Sequence, residues 1–166
     1  MIITRLAKVT MVAGLAALAL IVACDNIVDY DSNYEFVRHV LSMDTTFAGN
    51  ALKHRAITNE TLWHVAYVLI IAVEAVTGLL LAFGALALLA RLRSPAAIFN
   101  RTKVWAVAGL TMGFGLWFIG FLVIAGEYFA MWQSKIWNGQ EAAFRITAVI
   151  LGVLIYVSLT DDDLAE

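Results

Sequence analysis

The sequence contains little charge, one cysteine and one proline, and these scarcities exclude several classes of protein. Only 14% of its 166 residues are charged, whereas a soluble domain has about a quarter. A single cysteine cannot form an internal disulfide. The net charge of −2 gives no basic excess, and the signatures of nucleic-acid-binding domains are missing. We therefore expect a protein that is not a soluble module and does not bind nucleic acid.

Catalytic motifs are missing from the sequence as well. It has no Ser-His-Asp order, no glycine-rich phosphate loop and no HExxH motif. We therefore expect a protein that is not an enzyme and has no catalytic residue.

Hydrophobic residues are what the sequence has in abundance: they make up 62% of the chain, and the mean hydropathy is +0.84. Four apolar stretches are long enough to cross a hydrocarbon core, which takes roughly 20 helical residues. The sequence thus predicts an all-α membrane protein, a single domain over residues 1–166 in which four transmembrane helices form a bundle. Their predicted bounds are about 6–24, 62–90, 104–130 and 142–160.

Residues 25–61 form the only long connection. Ser32 followed by Glu35 matches a capping box and predicts the start of a short helix. An apolar face follows, made of Phe36, Val37, Val40 and Leu41. Such a helix can lie flat in the membrane interface with this face in the headgroup layer.

The distribution of basic residues predicts the orientation. The first eight residues and the 91–103 loop carry six Lys or Arg, whereas the longer 25–61 loop carries three and the 131–141 turn carries one. Because positive residues mark the cytoplasmic side, we expect both termini in the cytoplasm of a bacterial inner membrane. The 25–61 and 131–141 segments then lie together on the outer side.

Cys24 raises an alternative for the first helix. Residues 21–24, IVAC, resemble the lipobox at which bacterial lipoproteins are cut and lipidated, and Arg5 and Lys8 suit the start of a signal peptide. We favour a retained transmembrane helix, and lipidation of Cys24 stays open.

Small residues recur on one face of the third helix. Ala106, Gly113, Gly120 and Glu127 are each seven residues apart, close to two helical turns, and Gly109 forms a GxxxG pair with Gly113. This pattern predicts a face that packs closely against neighbouring helices. Glu127 at its outer end is at a depth similar to that of Arg145 in the fourth helix, so we expect an outer-side ion pair between them.

Glu74 lies about twelve residues into the second helix, near the middle of the bilayer. An ionisable group at this depth is costly and therefore a candidate functional residue. One hypothesis is a proton-relay or ion-binding carboxylate. The other is a structural carboxyl that joins two helices through Thr77 or a residue of the first helix.

Three histidines, His39, His54 and His64, fall on the predicted outer side near Met43 and Cys24. They permit a copper, zinc or haem site, but their spacing matches no standard ligand motif. We expect no metal and no cofactor.

Aromatic residues flank the predicted spans, where amphipathic rings favour the headgroup region. Trp132, Trp137 and Phe144 are close together in the sequence. They provide a second hypothesis, a docking surface for a partner, because aromatic residues are enriched at binding hot spots.

Two segments resemble a known bacterial family: DN at 25–26 with DYDSNYEFVRHVLSMDTTF at 29–47, and GEYFAMWQSKIWNGQEAAFR at 126–145. The family consists of predicted small integral membrane proteins with a domain of unknown function. The resemblance implies a four-helix inner-membrane protein and no established activity or cofactor.

These observations favour an accessory or structural subunit that packs against other integral membrane subunits of a larger complex, such as one for respiratory or photosynthetic electron transfer. The first alternative is a protein that binds or transports a small ligand, a proton or a lipid through Glu74, which requires a polar cavity reaching that residue. The second is a redox subunit that carries a cofactor.

Overall fold

The computed structural model describes residues 2–163. Four of its helices are long and apolar enough to cross a membrane: Ile2–Val28, Glu60–Ala90, Ala96–Tyr128 and Gln140–Ser158. No strand occurs in this part of the chain. The predicted fold class, a helical membrane bundle, is confirmed.

The helices are joined by short connections except for the segments 43–59 and 129–139. In chain order they are α1 (Ile2–Val28), α2 (Tyr30–Ser42), α3 (Glu60–Ala90), α4 (Ala96–Thr102), α5 (Val104–Phe114) and α6 (Gln140–Ser158). A π-helix, Gly115–Tyr128, continues α5, and 3-10 turns lie at Ala51–Arg55 and Met131–Gln133. At 1.5 Å per residue, α1 is about 40 Å long, so it extends beyond both ends of the predicted span 6–24.

The third span changes its geometry at Gly115. Up to Phe114 it is α-helical, and from Gly115 it is π-helical, with the Phe129 amide bonded to the Ile124 carbonyl five residues earlier. A π-helix needs more residues for each turn than an α-helix. Residues seven apart therefore no longer share a face beyond Phe114.

Small residues bring the backbones of neighbouring helices close together. A Cβ added to Gly84 of α3 would lie 2.7 Å from the backbone nitrogen of Ala106 in α5, and one added to Gly109 would lie 2.8 Å from Leu81 Cγ. A Cβ added to Gly113 would lie 3.2 Å from Thr77 Cγ2 and 3.3 Å from Ile150 Cδ1. Helices in lipid associate through such close contacts, because van der Waals packing and not the hydrophobic effect drives their association.

Gly120 does not belong to this interface. A Cβ there would approach only Leu116 of its own helix, at 3.7 Å. The reason is the π-helical segment, which turns Gly120 away from the face of Ala106 and Gly113.

The cap covers one end of the bundle. We define the cap as α2 together with the segments 43–59 and 129–139. Thr45 Oγ1 donates a hydrogen bond to Ser134 Oγ (2.9 Å), and the Phe47 amide donates to Gln133 Oε1 (3.1 Å). The predicted meeting of the 25–61 and 131–141 segments at one end is confirmed.

The predicted capping box at Ser32 is wrong. Helix α2 begins at Tyr30, and only Asp29 separates it from α1. The Asp29 amide bonds to the Asp25 carbonyl of α1 (2.8 Å), and α2 starts at the next residue. Ser32 therefore lies inside α2 and cannot cap its start. The Ser32 hydroxyl donates to the Asp29 carboxylate instead, and Glu35 accepts from Arg38.

The apolar face of α2 packs on the protein itself. Val37 belongs to a buried cluster with Tyr67 and Ile71 of α3, and Val40 belongs to a second buried cluster with Phe129 of the cap. The face predicted for the headgroup layer thus holds the cap on the bundle.

Candidate functional site

Glu74 lies in the interior of the bundle, where α3 faces the end of α1. Its side chain is 2% exposed. Asn26 Nδ2 of α1 donates a hydrogen bond of 2.7 Å to Glu74 Oε2. Within residues 2–163 this is the only hydrogen bond to the carboxyl group. The predicted link to the first helix is therefore present, whereas Thr77 is not the partner, since its hydroxyl is buried without one.

A chain of amide groups extends from Glu74 into the cap. Asn33 Nδ2 of α2 donates to Asn26 Oδ1 at 2.7 Å, and the Tyr67 hydroxyl donates to the Asn26 backbone carbonyl at 3.2 Å. Because Asn26 accepts from Asn33 through its oxygen, its nitrogen must point at Glu74. The amide orientation is thus fixed by its two neighbours.

An aromatic cluster lies beside this chain. The rings of Tyr34 and His64 stack 4.2 Å apart, and the Tyr30 ring lies 4.7 Å from that of Tyr67. Tyr30 bonds through its hydroxyl to His64 Nδ1 at 2.9 Å. Burial, followed by the charge of Asp31, raises the pKa of Tyr30. This phenol therefore stays protonated at neutral pH.

A cavity of about 190 Å³ reaches the Glu74 carboxyl group. Its polar wall is formed by Glu74, Asn26, Asn33 and Tyr67, and the rest of its lining is mainly apolar. We call it the polar cavity. A buried carboxyl that lines a cavity and accepts a single hydrogen bond keeps free acceptor capacity for a molecule inside it.

A second cavity of about 290 Å³, the apolar cavity, lies next to it between α3 and the π-helix. The two cavities share Phe36, Val37, Ile70 and Phe121 in their walls. Gly120 lines the apolar cavity. An added Cβ at Gly120 would therefore meet only Leu116 within 4 Å.

The predicted ion pair between Glu127 and Arg145 is wrong. Arg145 pairs with Glu141, one turn earlier on α6, at 2.6 Å and with both side chains exposed. Gly126, beside Glu127 in the π-helix, closely approaches α6, where an added Cβ would lie 2.6 Å from Gln140 Nε2. Glu127 is the next residue, so the helix turns it away from α6 to the surface.

The three histidines lie apart and have different partners. His39 bonds to Asp44 at 2.8 Å, His54 contacts the Ala51 carbonyl at 3.1 Å, and His64 belongs to the aromatic cluster. Among residues 2–163, no three His, Cys, Asp or Glu side chains are grouped as metal ligands would be. Cys24 is exposed near the end of α1.

The aromatic residues proposed for partner docking have separate surroundings. Trp137 stacks on His39 within the cap at 4.7 Å, whereas Trp132 is 46% exposed and meets Phe47 edge-on. Phe144 lies on α6 and is 63% exposed. Trp137 therefore helps to hold the cap together, while Trp132 and Phe144 remain at the surface.

The opposite end of the bundle contains a buried ionic cluster. Lys8 of α1 and Lys103 both contact the Asp161 carboxylate, at 2.6 and 2.5 Å, and both donate to the Leu159 carbonyl. Arg5 is fully buried and bonds to the carbonyls of Leu92, Ser94 and Asp162. We call this group the terminal cluster, because it ties residues 159–163 to α1 and to the 91–103 segment.

The terminal cluster fixes the charge of Asp161. Burial acts to raise the pKa of this carboxyl, but hydrogen bonds from Lys103 and Lys8 outweigh it and lower the pKa below its ordinary value. Asp161 is therefore ionised at neutral pH.

Sequence reasoning misses Asn26, Asn33 and Tyr67, as well as the terminal cluster. One signal is available: Tyr67 and Glu74 are seven residues apart in the second span. Seven-residue spacing places this pair on one helical face. The terminal cluster has no comparable signal, because it joins residues as far apart in the chain as Lys8 and Asp161.

Comparison with known families agrees with these features. The model of a family described as "Predicted small integral membrane protein (DUF2165)" matches residues 4–160, which include nearly all of the four spans. Comparison with curated proteins found no match, and comparison with solved structures found none either. The chain therefore belongs to the DUF2165 family of predicted small integral membrane proteins, as the resemblance of its two segments suggested.

Proposed function

We propose that this membrane protein binds a small amphipathic molecule, with the polar group of the ligand at Glu74 and Asn26. One observation carries the proposal: a carboxyl group that is 2% exposed lines a cavity and accepts only one hydrogen bond within the described chain. An ionisable group inside a membrane is costly, and such residues commonly mark ligand or ion sites. This is the first of the two alternatives considered from the sequence.

The two cavities define the class of ligand. The polar cavity offers carboxyl, amide and phenol groups, so it suits a hydroxyl, amine or other hydrogen-bond donor. The apolar cavity, lined by side chains such as Ile70, Leu116 and Phe129, suits a hydrocarbon or ring portion. Together the cavities fall in the range of small-molecule sites, about 300–1,000 Å³.

The accessory-subunit role stays a prediction. Exposed apolar side chains line the spans, for example Leu69, Leu86 and Ile155, and such side chains suit lipid and a partner helix equally well. The position in a bacterial inner membrane with both termini in the cytoplasm also remains our proposal, supported by the six basic residues near the terminal cluster.

Analysis of the small molecules that co-purify with the protein tests the proposed ligand binding. The full chain is isolated in mild detergent and its bound small molecules are quantified by mass spectrometry. We expect one amphipathic species in near-stoichiometric amount. It should be lost from Ala125→Phe, which fills the apolar cavity, and from Glu74→Leu, which removes the polar anchor.

Leu86→Phe is the matched control, because Leu86 is 65% exposed on the lipid-facing side of α3. It should retain the bound species. Equal small-molecule content in the wild type and both cavity variants would contradict the proposal. Co-purification of a stoichiometric protein partner with no small molecule would favour the accessory-subunit role instead.

A further inference from the structure

A basic groove lies on the surface near the terminal cluster, between the end of α3 and helix α4. Its volume is about 330 Å³, and its lining includes Arg91, Arg101, Phe83, Ile98 and Trp105. Both arginines are exposed. The groove thus combines two guanidinium groups with an apolar floor.

An apolar groove of about 350 Å³ continues from it along α3. Val76, Leu79 and Leu80 line this part, and Phe83 and Trp105 line both grooves. The rings of Phe83 and Trp105 meet edge to face, 5.2 Å apart. From Val76 to Arg91 the helix rises about 22 Å. The surface therefore runs from a charged head to a long apolar track.

The two arginines have no acidic partner within the described chain. Among residues 2–163, neither Arg91 nor Arg101 lies within ion-pair distance of a carboxylate, whereas Lys8 and Lys103 share Asp161. This end also has an overall positive excess: residues 2–8, 91–103 and 159–163 contain six cations and three carboxylates. The guanidinium groups are thus free to bind an anion from outside the chain.

We propose that this surface binds one anionic phospholipid. The phosphate group lies between Arg91 and Arg101, because the planar guanidinium fork matches phosphate oxygens. An acyl chain follows Phe83, Leu79 and Val76 towards the middle of the bilayer. Trp105 lies at the headgroup level, which its amphipathic ring favours. Basic pockets beside transmembrane helices recognise anionic headgroups in this way.

Native mass spectrometry of the full, delipidated chain tests the site. The probes are phosphatidylglycerol and phosphatidylcholine with identical acyl chains. We expect the wild type to prefer phosphatidylglycerol. Arg91→Gln and Arg101→Gln should each weaken its binding about fivefold, the factor for a loss of about 1 kcal/mol per basic residue. Binding of phosphatidylcholine should not change.

Arg93→Gln is the matched control, because this substitution removes the same charge from the same connection. Arg93 is exposed but does not line the groove. It should keep the wild-type preference within twofold. If Arg93→Gln weakened phosphatidylglycerol binding as much as Arg91→Gln, general surface charge would explain the preference. No preference in the wild type, or displacement of the lipid by millimolar inorganic phosphate, would also contradict the proposal.

Discussion

At Glu74, a single hydrogen bond distinguishes two substitutions that remove the same carboxyl group. Glu74→Gln keeps an oxygen that can accept from Asn26 Nδ2. Glu74→Leu leaves the buried Asn26 Nδ2 donor without this acceptor. Asn26 cannot reverse its amide without losing Asn33. We expect Glu74→Leu to lower the free energy of unfolding by about 1 kcal/mol relative to Glu74→Gln. Thermal unfolding in detergent, followed by circular dichroism, measures the difference.

Glu127→Gln is the control for this comparison. Glu127 is exposed and has no ion pair within residues 2–163. Its substitution should leave the melting temperature unchanged, whereas the ion pair expected from the sequence would require a decrease. If the Leu and Gln variants at Glu74 unfolded at the same temperature, the Asn26 hydrogen bond would contribute nothing measurable.

At the scale of the elements, close contact between α3 and α5 depends on the absence of side chains. A Cβ at Gly84 would lie 2.7 Å from the nitrogen and 2.9 Å from the Cα of Ala106, and these backbone atoms cannot rotate away. Gly84→Ala should therefore separate the helices and destabilise the fold by about 1–3 kcal/mol, as overpacking generally does. Chemical or thermal unfolding in detergent gives this value.

Gly14→Ala provides the comparison, since an added Cβ at Gly14 meets nothing within 4 Å. Alanine has the higher helix propensity by about 1 kcal/mol. The variant should therefore be as stable as the wild type or slightly more stable. A loss of stability equal to that of Gly84→Ala would mean that general glycine flexibility, and not the α3–α5 contact, is responsible.

The apolar pattern of the sequence is sufficient to predict the four spans, because each helix must satisfy its own backbone within lipid. It also predicts that Ala106, Gly109 and Gly113 share a face, and the structure places all three against α3. It fails for Gly120 and Glu127. The seven-residue pattern assumes α-helical geometry, and no residue type in the sequence marks the change to a π-helix at Gly115.

The candidate site was predicted only at its centre. Glu74 is recognisable because a carboxylate within an apolar run is rare. Asn26 and Asn33 come from the end of α1 and from α2, and their meeting with Glu74 depends on how the cap folds back onto the bundle. Contacts between segments this far apart in the chain depend on tertiary packing, which local patterns do not specify.

At the scale of the whole molecule, the terminal cluster makes stability depend on pH. The pKa of Asp161 is lower in the folded protein than in the unfolded chain, where it is about 3.9. In acid the unfolded chain therefore binds more protons, so the contribution of Asp161 is fully present above about pH 5 and is lost as the pH falls through the folded pKa. Unfolding temperatures measured from pH 7 to pH 3 should show this decrease.

Asp161→Asn should remove the acid-dependent part of that decrease. It leaves Lys8 and Lys103 buried without their carboxylate, so the variant should be less stable at pH 7 by roughly 3 kcal/mol. Asp162→Asn is the control, because the Asp162 side chain is exposed and Arg5 binds only its backbone carbonyl. Equal pH profiles for the wild type and Asp161→Asn would exclude this role for the cluster.

The arrangement of the two ends across the membrane can be tested with single cysteines. Cys24 is first replaced by alanine, which leaves the chain without a thiol. Gly49→Cys then places a thiol in the cap, where an added Cβ meets nothing within 4 Å. Ala97→Cys places one on the exposed side of α4, next to the basic residues and without altering their charge. In bacterial spheroplasts, we expect a membrane-impermeant maleimide to label Gly49→Cys directly and Ala97→Cys only after lysis, if the basic end faces the cytoplasm as we propose. The reverse pattern would mean the opposite orientation. Direct labelling of both thiols would contradict the single span, α3, that places Gly49 and Ala97 on opposite faces of the bilayer.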